Sequence, residues 1–253
     1  MASAVSLDLI IREQYRPTSN NNQTGTASIV CEKISDSTGI KITETTNHFQ
    51  AQSTLDNMVE ASGVTKTIAV SLMKIANDIR WMGSGPRGGF GEIELPEVQP
   101  GSSIMPGKVN PVIPESVCQV AAQVIGNDAT VSIAGQSGNF EINVMMPVAA
   151  YNLLQSIELI SNASENMAVQ CIDGLKSTSK GPEMVEKGLA IVTTLVPYIG
   201  YDRSAELAHK AQETGLTIKE VALEETDLSA EQLDTILDPE SMTEPGVSGV
   251  SIG

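Results

Sequence analysis

The stretch over residues 50–82, QAQSTLDNMVEASGVTKTIAVSLMKIANDIRWM, places Leu55, Met58, Val59, Ser62, Thr65, Ala69, Leu72, Met73, Ala76 and Ile79 on one face at steps of three and four. That period predicts one amphipathic helix, a rod of roughly 50 Å at about 1.5 Å per residue. Residues 111–134 read as a second helix, and residues 143–172, rich in Val, Leu, Met and Ile, as a third. Long helices joined by loops point to an all-α fold built on a helix bundle. The apolar composition agrees. Only 3% of residues are aromatic, so Ala, Val, Ile, Leu and ten Met must fill the core, a palette suited to helix packing rather than to a β-sandwich.

Fifteen basic against thirty-one acidic side chains give a formal charge of −16. A nucleic-acid backbone or an anionic membrane surface is repelled by such a shell, so neither is expected as a partner. No apolar run approaches the roughly 20 residues that cross a bilayer, and no signal peptide precedes the body of the chain. Cys31, Cys118 and Cys171 are odd in number and widely spaced, without a CxxC pair, which argues against a disulfide framework or a zinc site. Three reduced, mostly buried thiols in a cytoplasmic setting are expected.

Residues 1–29 are polar and turn-forming around Arg16–Gly25 and are expected to be an atypical, loose segment. Asp8 and Glu13 weaken a targeting-peptide reading. Residues 30–173 form the expected central bundle, and residues 174–253 a small C-terminal helical domain. In the latter, Asp202 is placed to cap a helix ending near Gly215, while Thr217–Glu220 and Ser229–Gln232 fit capping boxes. The run Gly83-Ser84-Gly85-Pro86-Arg87-Gly88 fits G-x-G-x-x-G, yet no strand precedes it and no helix follows directly, so a dinucleotide site is not expected.

Between the first two helices lies Gly101-Ser102-Ser103-Ile104-Met105-Pro106-Gly107-Lys108-Val109-Asn110-Pro111. Asn110 followed by Pro111 predicts a helix start, with Asn110 as N-cap and Pro111 at the first helical position. Lys108 then stands just outside a positive helix end, where a cation is unfavourable unless an anion compensates it. A ligand carboxylate held by Lys108, the Asn110 amide and backbone N–H groups meets that requirement. The adjacent serines fit a donor pair, a nucleophile or a plain turn, and residue types alone leave these open. Glu115, in the first turn of the helix, is favoured there by the dipole whatever else it does.

These eleven residues resemble the signature loop of the fumarase/aspartase superfamily, and the similarity runs through nearly all of the chain from about Val30. Met105-Pro106-Gly107-Lys108, Ser137-Gly138-Asn139-Phe140-Glu141-Ile142-Asn143, Ile199-Gly200-Tyr201-Asp202, residues 71–78 and Gly85-Pro86-Arg87 look more like class II fumarate hydratases than like aspartases. The resemblance implies a carbon–oxygen lyase of the tricarboxylic acid cycle that reversibly adds water to fumarate to make (S)-malate, with no metal or organic cofactor. It implies Ser102 as the catalytic base, and Ser103, Lys108 and Asn110 as holders of the substrate carboxylates. Glu115 would orient a histidine from another subunit of a homotetramer.

Family members are much longer. Their amino-terminal half supplies the catalytic histidine motif, which this sequence lacks, and His48 corresponds to a different, non-catalytic segment. The chain therefore resembles the carboxyl-terminal half only, expected to self-associate or to join a complementary amino-terminal polypeptide. Aspartate ammonia-lyase and a non-catalytic helical subunit are the alternative readings.

Overall fold

The computed structural model describes residues 26–85, 87–243 and 246. Of the segment expected to be loose, residues 1–25 lie outside the described residues, and Thr26 opens helix α1 (Thr26–Thr38). The chain divides into two compact units, one comprising residues up to Arg80 with Glu97–Gly174, the other Trp81–Pro96 with Leu175 onward.

The first unit is the helix bundle. The rod expected over residues 50–82 is broken in two: α2 (His48–Ser53) and α3 (Asp56–Met82). Ser53 and Thr54 hydroxyls donate to the carbonyls of Phe49 and Gln50, at 2.8 and 3.2 Å, and Thr54 is extended. Short hydroxyl side chains offer terminal carbonyls an alternative to the helical ladder, which ends the helix. Leu55 is thereby turned into a core formed with Val131, Ala134 and Ala149. From Asp56 onward the face read from the sequence is the inward one. Ser62, Thr65, Ala69, Ala76 and Ile79 are buried, while Met58, Val59, Leu72 and Met73 pack against the neighbouring clusters.

Helices α4 (Val112–Gln136) and α5 (Met146–Gln170) pack along their length. Asn143, expected to open the third helix, lies in the connection instead. It is fully buried, donates to the carbonyls of Ala134 (2.9 Å) and Gly135 (3.5 Å), and accepts the Met145 N–H at 2.8 Å. One side chain thus satisfies the orphan carbonyls at the end of α4 and the backbone entering α5. Within the bundle Asp128 accepts from Ser62 (2.8 Å) and Lys66 (2.5 Å), and Asn127 bridges Gln123, Gln155 and Ser156. Asp128 and Asn127, both buried, are thus partnered, which offsets the penalty of burying them.

The second unit begins with the glycine-rich turn after α3, in which the Phe90 N–H donates to the Ser84 hydroxyl. It adds a short antiparallel pair, β1 (Ile93–Glu94) with β2 (Lys176–Ser177). Helix α6 (Lys180–Lys187), a 3-10 stretch Leu189–Leu195, α7 (Val196–Ile199), α8 (Tyr201–Thr214), α9 (Ile218–Glu225) and α10 (Ala230–Ile236) follow. Their core is aliphatic: Leu195, Leu207, Ile218, Val221, Leu233 and Ile236 are buried together. Both predicted capping boxes form, Thr217 with Glu220 and Ser229 with Gln232. Asp202 does not cap α8. Gly200, at φ 82°, occupies that position, leaving Asp202 in the first turn where its charge still suits the dipole.

Two carboxylates of this second unit are stabilised in their charged form. Lys210 and Arg203 both donate to Glu225, at 2.6 and 2.8 Å, and hold its carboxyl below the usual range. Glu220 is lowered by the Thr217 backbone N–H and then by its hydroxyl. A carboxylate with a depressed folded-state pKa contributes stability above the ordinary carboxylate range, and that contribution disappears as pH falls through its folded value. The resistance of this unit to thermal unfolding should therefore hold from neutral pH down to the ordinary carboxylate range and decline as pH falls from there through the lowered folded values, and Glu225→Gln should flatten that decline. An unchanged slope in the variant would remove Glu225 from the account. Arg203, Lys210 and Glu225 are half-buried and still in contact with solvent, so added salt should shrink the effect.

Cys31 and Cys171 are buried and Cys118 is half-buried, all as free thiols. Burial pushes the Cys171 thiol up, which keeps it protonated and unreactive. Among the described residues no helix is long and apolar enough to cross a membrane.

Candidate active-site loop

The loop is closed at its base by backbone contact rather than by side-chain packing. A Cβ at Gly101 would lie 2.0 Å from the Lys108 carbonyl oxygen and 3.2 Å from the Asn110 nitrogen, so only glycine allows the two strands of this neck to approach. The Asn110 amide donates to the Gly101 carbonyl at 2.6 Å. This corrects the helix start read from the sequence. Pro111 stands at the N-cap position, the first helical residue is Val112, and no side chain caps the end. Asn110 is unavailable as a cap because its amide is turned back onto the neck, nine residues away in sequence.

Within the loop the Ser102 hydroxyl oxygen accepts from the N–H groups of Ile104 (3.2 Å) and Met105 (3.1 Å). Two donors converging on one oxygen favour its negatively charged form, the requirement for a serine asked to act as a base. The donors are main-chain groups two and three residues along, the local turn that residue types left open beside a donor pair and a nucleophile. Ser103 and Lys108 are exposed, and among the described residues the Lys108 ammonium has no ion-pair partner. Glu115 is half-buried in the first turn of α4, its carboxylate without a hydrogen-bond partner among the described residues. The structure thus brings Gly101, Lys108 and Asn110 together at the neck, holds Ser102 in the loop above it, and leaves Glu115 beyond Pro111.

His48 opens α2, and His209 is exposed on α8 in the other unit. Among the described residues no cluster of His, Cys, Asp and Glu is arranged to hold a metal ion.

Comparison with known proteins gives these features relatives. Residues 17–126 match a family model described as lyase, and residues 191–244 one described as fumarase C C-terminus. The first match begins at Pro17, inside the segment that the sequence reading set apart as atypical. A fumarate hydratase class II of Pseudomonas aeruginosa is 51% identical over 217 residues, 85% of this chain and 47% of that protein. One from Bacillus cereus is 47% identical over 218 residues, 86% of this chain and 47% of that protein.

Among solved structures, a class II fumarase from Schistosoma mansoni superposes with a TM-score of 0.81 at 35% identity, covering 88% of this chain and 50% of that one. A fumarate lyase:delta crystallin from Brucella melitensis gives 0.77 at 46% identity, covering 84% and 48%. The chain spans about half the length of the curated relatives it matches. With an all-α bundle and a small helical unit matching a fumarase C-terminal model, the chain is similar over most of its own length to class II fumarate hydratases.

Proposed function

We infer that this chain supplies the signature-loop half of a fumarate hydratase, acting on fumarate and malate as a cytoplasmic enzyme of the tricarboxylic acid cycle. The observation that carries the reading is Ser102, whose oxygen accepts two main-chain N–H groups within a loop intact in sequence. In the malate-to-fumarate direction the Ser102 alkoxide takes the proton from C3. The electron pair left on C3 spreads into the adjacent carboxylate, then expels the C2 hydroxyl, which leaves as water after receiving a proton from an acid. Lys108 faces the carboxylate where charge accumulates, and a fixed cation there stabilises the transition state more than the ground state. Ser103 and Asn110 hold the remaining carboxylate oxygens, and Glu115 orients the histidine that completes the site. The test is loss of fumarate ultraviolet absorbance with the chain alone and with an amino-terminal polypeptide of a relative supplied in trans. Activity on aspartate exceeding that on malate would instead favour the ammonia-lyase reading.

A catalytic constellation works only when complete, and this sequence lacks the family's histidine motif. Hydration is therefore expected from the combined halves and not from the chain alone. Inactivity of both would leave the purely structural reading.

Association is the second part of the proposal. Val64, Ile68 and Ile75 on α3, and Tyr151, Leu154 and Ile157 on α5, are exposed at helical spacing, on faces other than those buried in the unit. Exposed apolar side chains repeated along a helix support a reading of these faces as interaction surfaces. In sedimentation at micromolar concentration the chain should run as an assembly, a tetramer by the family's pattern, or should pair with the amino-terminal polypeptide. A dispersed 26.7 kDa species that ignores that polypeptide would overturn this.

A further inference from the structure

The signature loop has little core to hold it, yet its two ends are fixed against each other. Residues 103–109 are all exposed, while Gly101, Ser102 and Asn110 at the neck are half-buried. Among the described residues a single hydrogen bond crosses the neck, from Asn110 Nδ2 to the Gly101 carbonyl at 2.6 Å. The other bonds of the loop step along it: the Ile104 and Met105 N–H groups to the Ser102 oxygen, then the Lys108 N–H to the Met105 carbonyl at 3.4 Å. Closing a loop costs chain entropy, so the relative placement of Ser102 and Lys108 depends on the one bond that joins the two ends.

The Asn110 side of that bond is anchored in α4. The Val112 N–H donates to the Asn110 carbonyl at 2.9 Å and the Glu115 N–H to the Pro111 carbonyl at 3.0 Å, so the main chain at Asn110 runs directly into the first turn of the helix. Pro111 and Pro114 have no N–H, and the Val112 N–H is engaged, which leaves Ile113 as the residue of 111–114 with a main-chain donor to offer an anion. The carboxylate grip expected of this helix end therefore falls on the loop's side chains. A primary amide carries two N–H groups. One on Asn110 goes to Gly101, and the other has no partner among the described residues.

We propose that Asn110 is the positioning residue of the loop. Its bond to Gly101 carries the fixed start of α4 across the neck to the residue before Ser102, so that Ser102 and Lys108 are set on opposite sides of the neck before any substrate arrives. The inference rests on the reading of Ser102 as base and Lys108 as carboxylate holder, and it divides the work of one amide: one N–H closes the loop, and the second reaches the substrate carboxylate.

The test is hydrogen exchange over residues 102–109 in the purified full chain, without substrate, for Asn110→Ala and for the near-isosteric Asn110→Asp, which lacks the donor. Loss of one hydrogen bond of ordinary strength corresponds to about fivefold faster exchange, expected in both variants. Exchange at the rate of the unaltered chain in both would overturn the proposal. Acceleration by alanine alone would overturn it as well, because the bulk of the side chain and not its donor would then hold the neck. Gly101→Ala breaks the same contact sterically, so adding Asn110→Ala to it should accelerate exchange by less than about twofold more. A full fivefold addition would mean that Asn110 acts through some other contact, against the proposal. In the complemented enzyme both Asn110 variants should lower kcat by about ten- to a hundredfold, the loss expected when Ser102 and Lys108 are no longer aligned. A side chain that only binds substrate would instead raise KM and leave exchange of the free loop unchanged. Faster exchange with no hydration by any complemented chain would leave the positioning role standing and remove the functional reading, whereas hydration with undisturbed exchange would remove the positioning role alone.

Discussion

Ser102→Ala is expected to reduce fumarate hydration by the complemented enzyme by about 10²–10⁴-fold, the contribution of a positioned general base. The loss should fall on kcat, because the hydroxyl acts on the C3 proton and Ser103, Lys108 and Asn110 remain to hold the carboxylates. The fold should be indifferent to the change. Ser102 stands outside the core clusters of the first unit, and the Ile104 and Met105 N–H groups it leaves behind are exposed and can take water instead. Matching unfolding midpoints for the two chains, beside a rate that collapses, would place the defect in the chemistry. A variant retaining more than a tenth of the rate would show that another group removes the proton, and the two amides on Ser102 would then be an ordinary turn.

Gly101→Ala should be nearly as damaging for a different reason. The added methyl would stand 2.0 Å from the Lys108 carbonyl oxygen and 2.8 Å from its carbon, and both are main-chain atoms that no rotamer change can move. The neck must open by an ångström or more, breaking the Asn110–Gly101 hydrogen bond and separating Ser102 from Lys108. Displacement of that size costs about a hundredfold in rate where reacting groups must be aligned. Gly107→Ala is the matched comparison. Its conformation at φ 76° is strained for alanine, but nothing lies within 4 Å of the added atom. It should cost about 1 kcal/mol of loop order and leave the neck closed. Hydrogen exchange over residues 102–109 would rank the two: faster for Gly101→Ala, modestly changed for Gly107→Ala. The opposite ranking would mean that the turn, not the neck, organises the loop.

The features legible in the sequence are those governed by short-range rules. The inward face of α3 followed from the 3.6-residue period, since side chains three and four apart must share a side. The capping boxes at Thr217 and Ser229 were legible because their partners are three residues away. The misreadings at Asn110 and Asn143 involve side chains whose partners are main-chain groups eight or nine residues away. Asn110 looked like a helix cap, but its amide is used on Gly101. Asn143 looked like a helix start, but it seals the end of α4. The break at Thr54 was hidden because the apolar period continues through Leu55 unchanged.

By itself, then, the sequence determined that this protein is helical, which face of α3 turns inward, and which loop carries serine, lysine and amide chemistry, since period, capping and residue type act over a few residues. Only the tertiary structure decided how that chemistry is held: the close approach of Gly101 to Lys108 and Asn110 depends on where separate backbone segments come to rest, which no local propensity specifies.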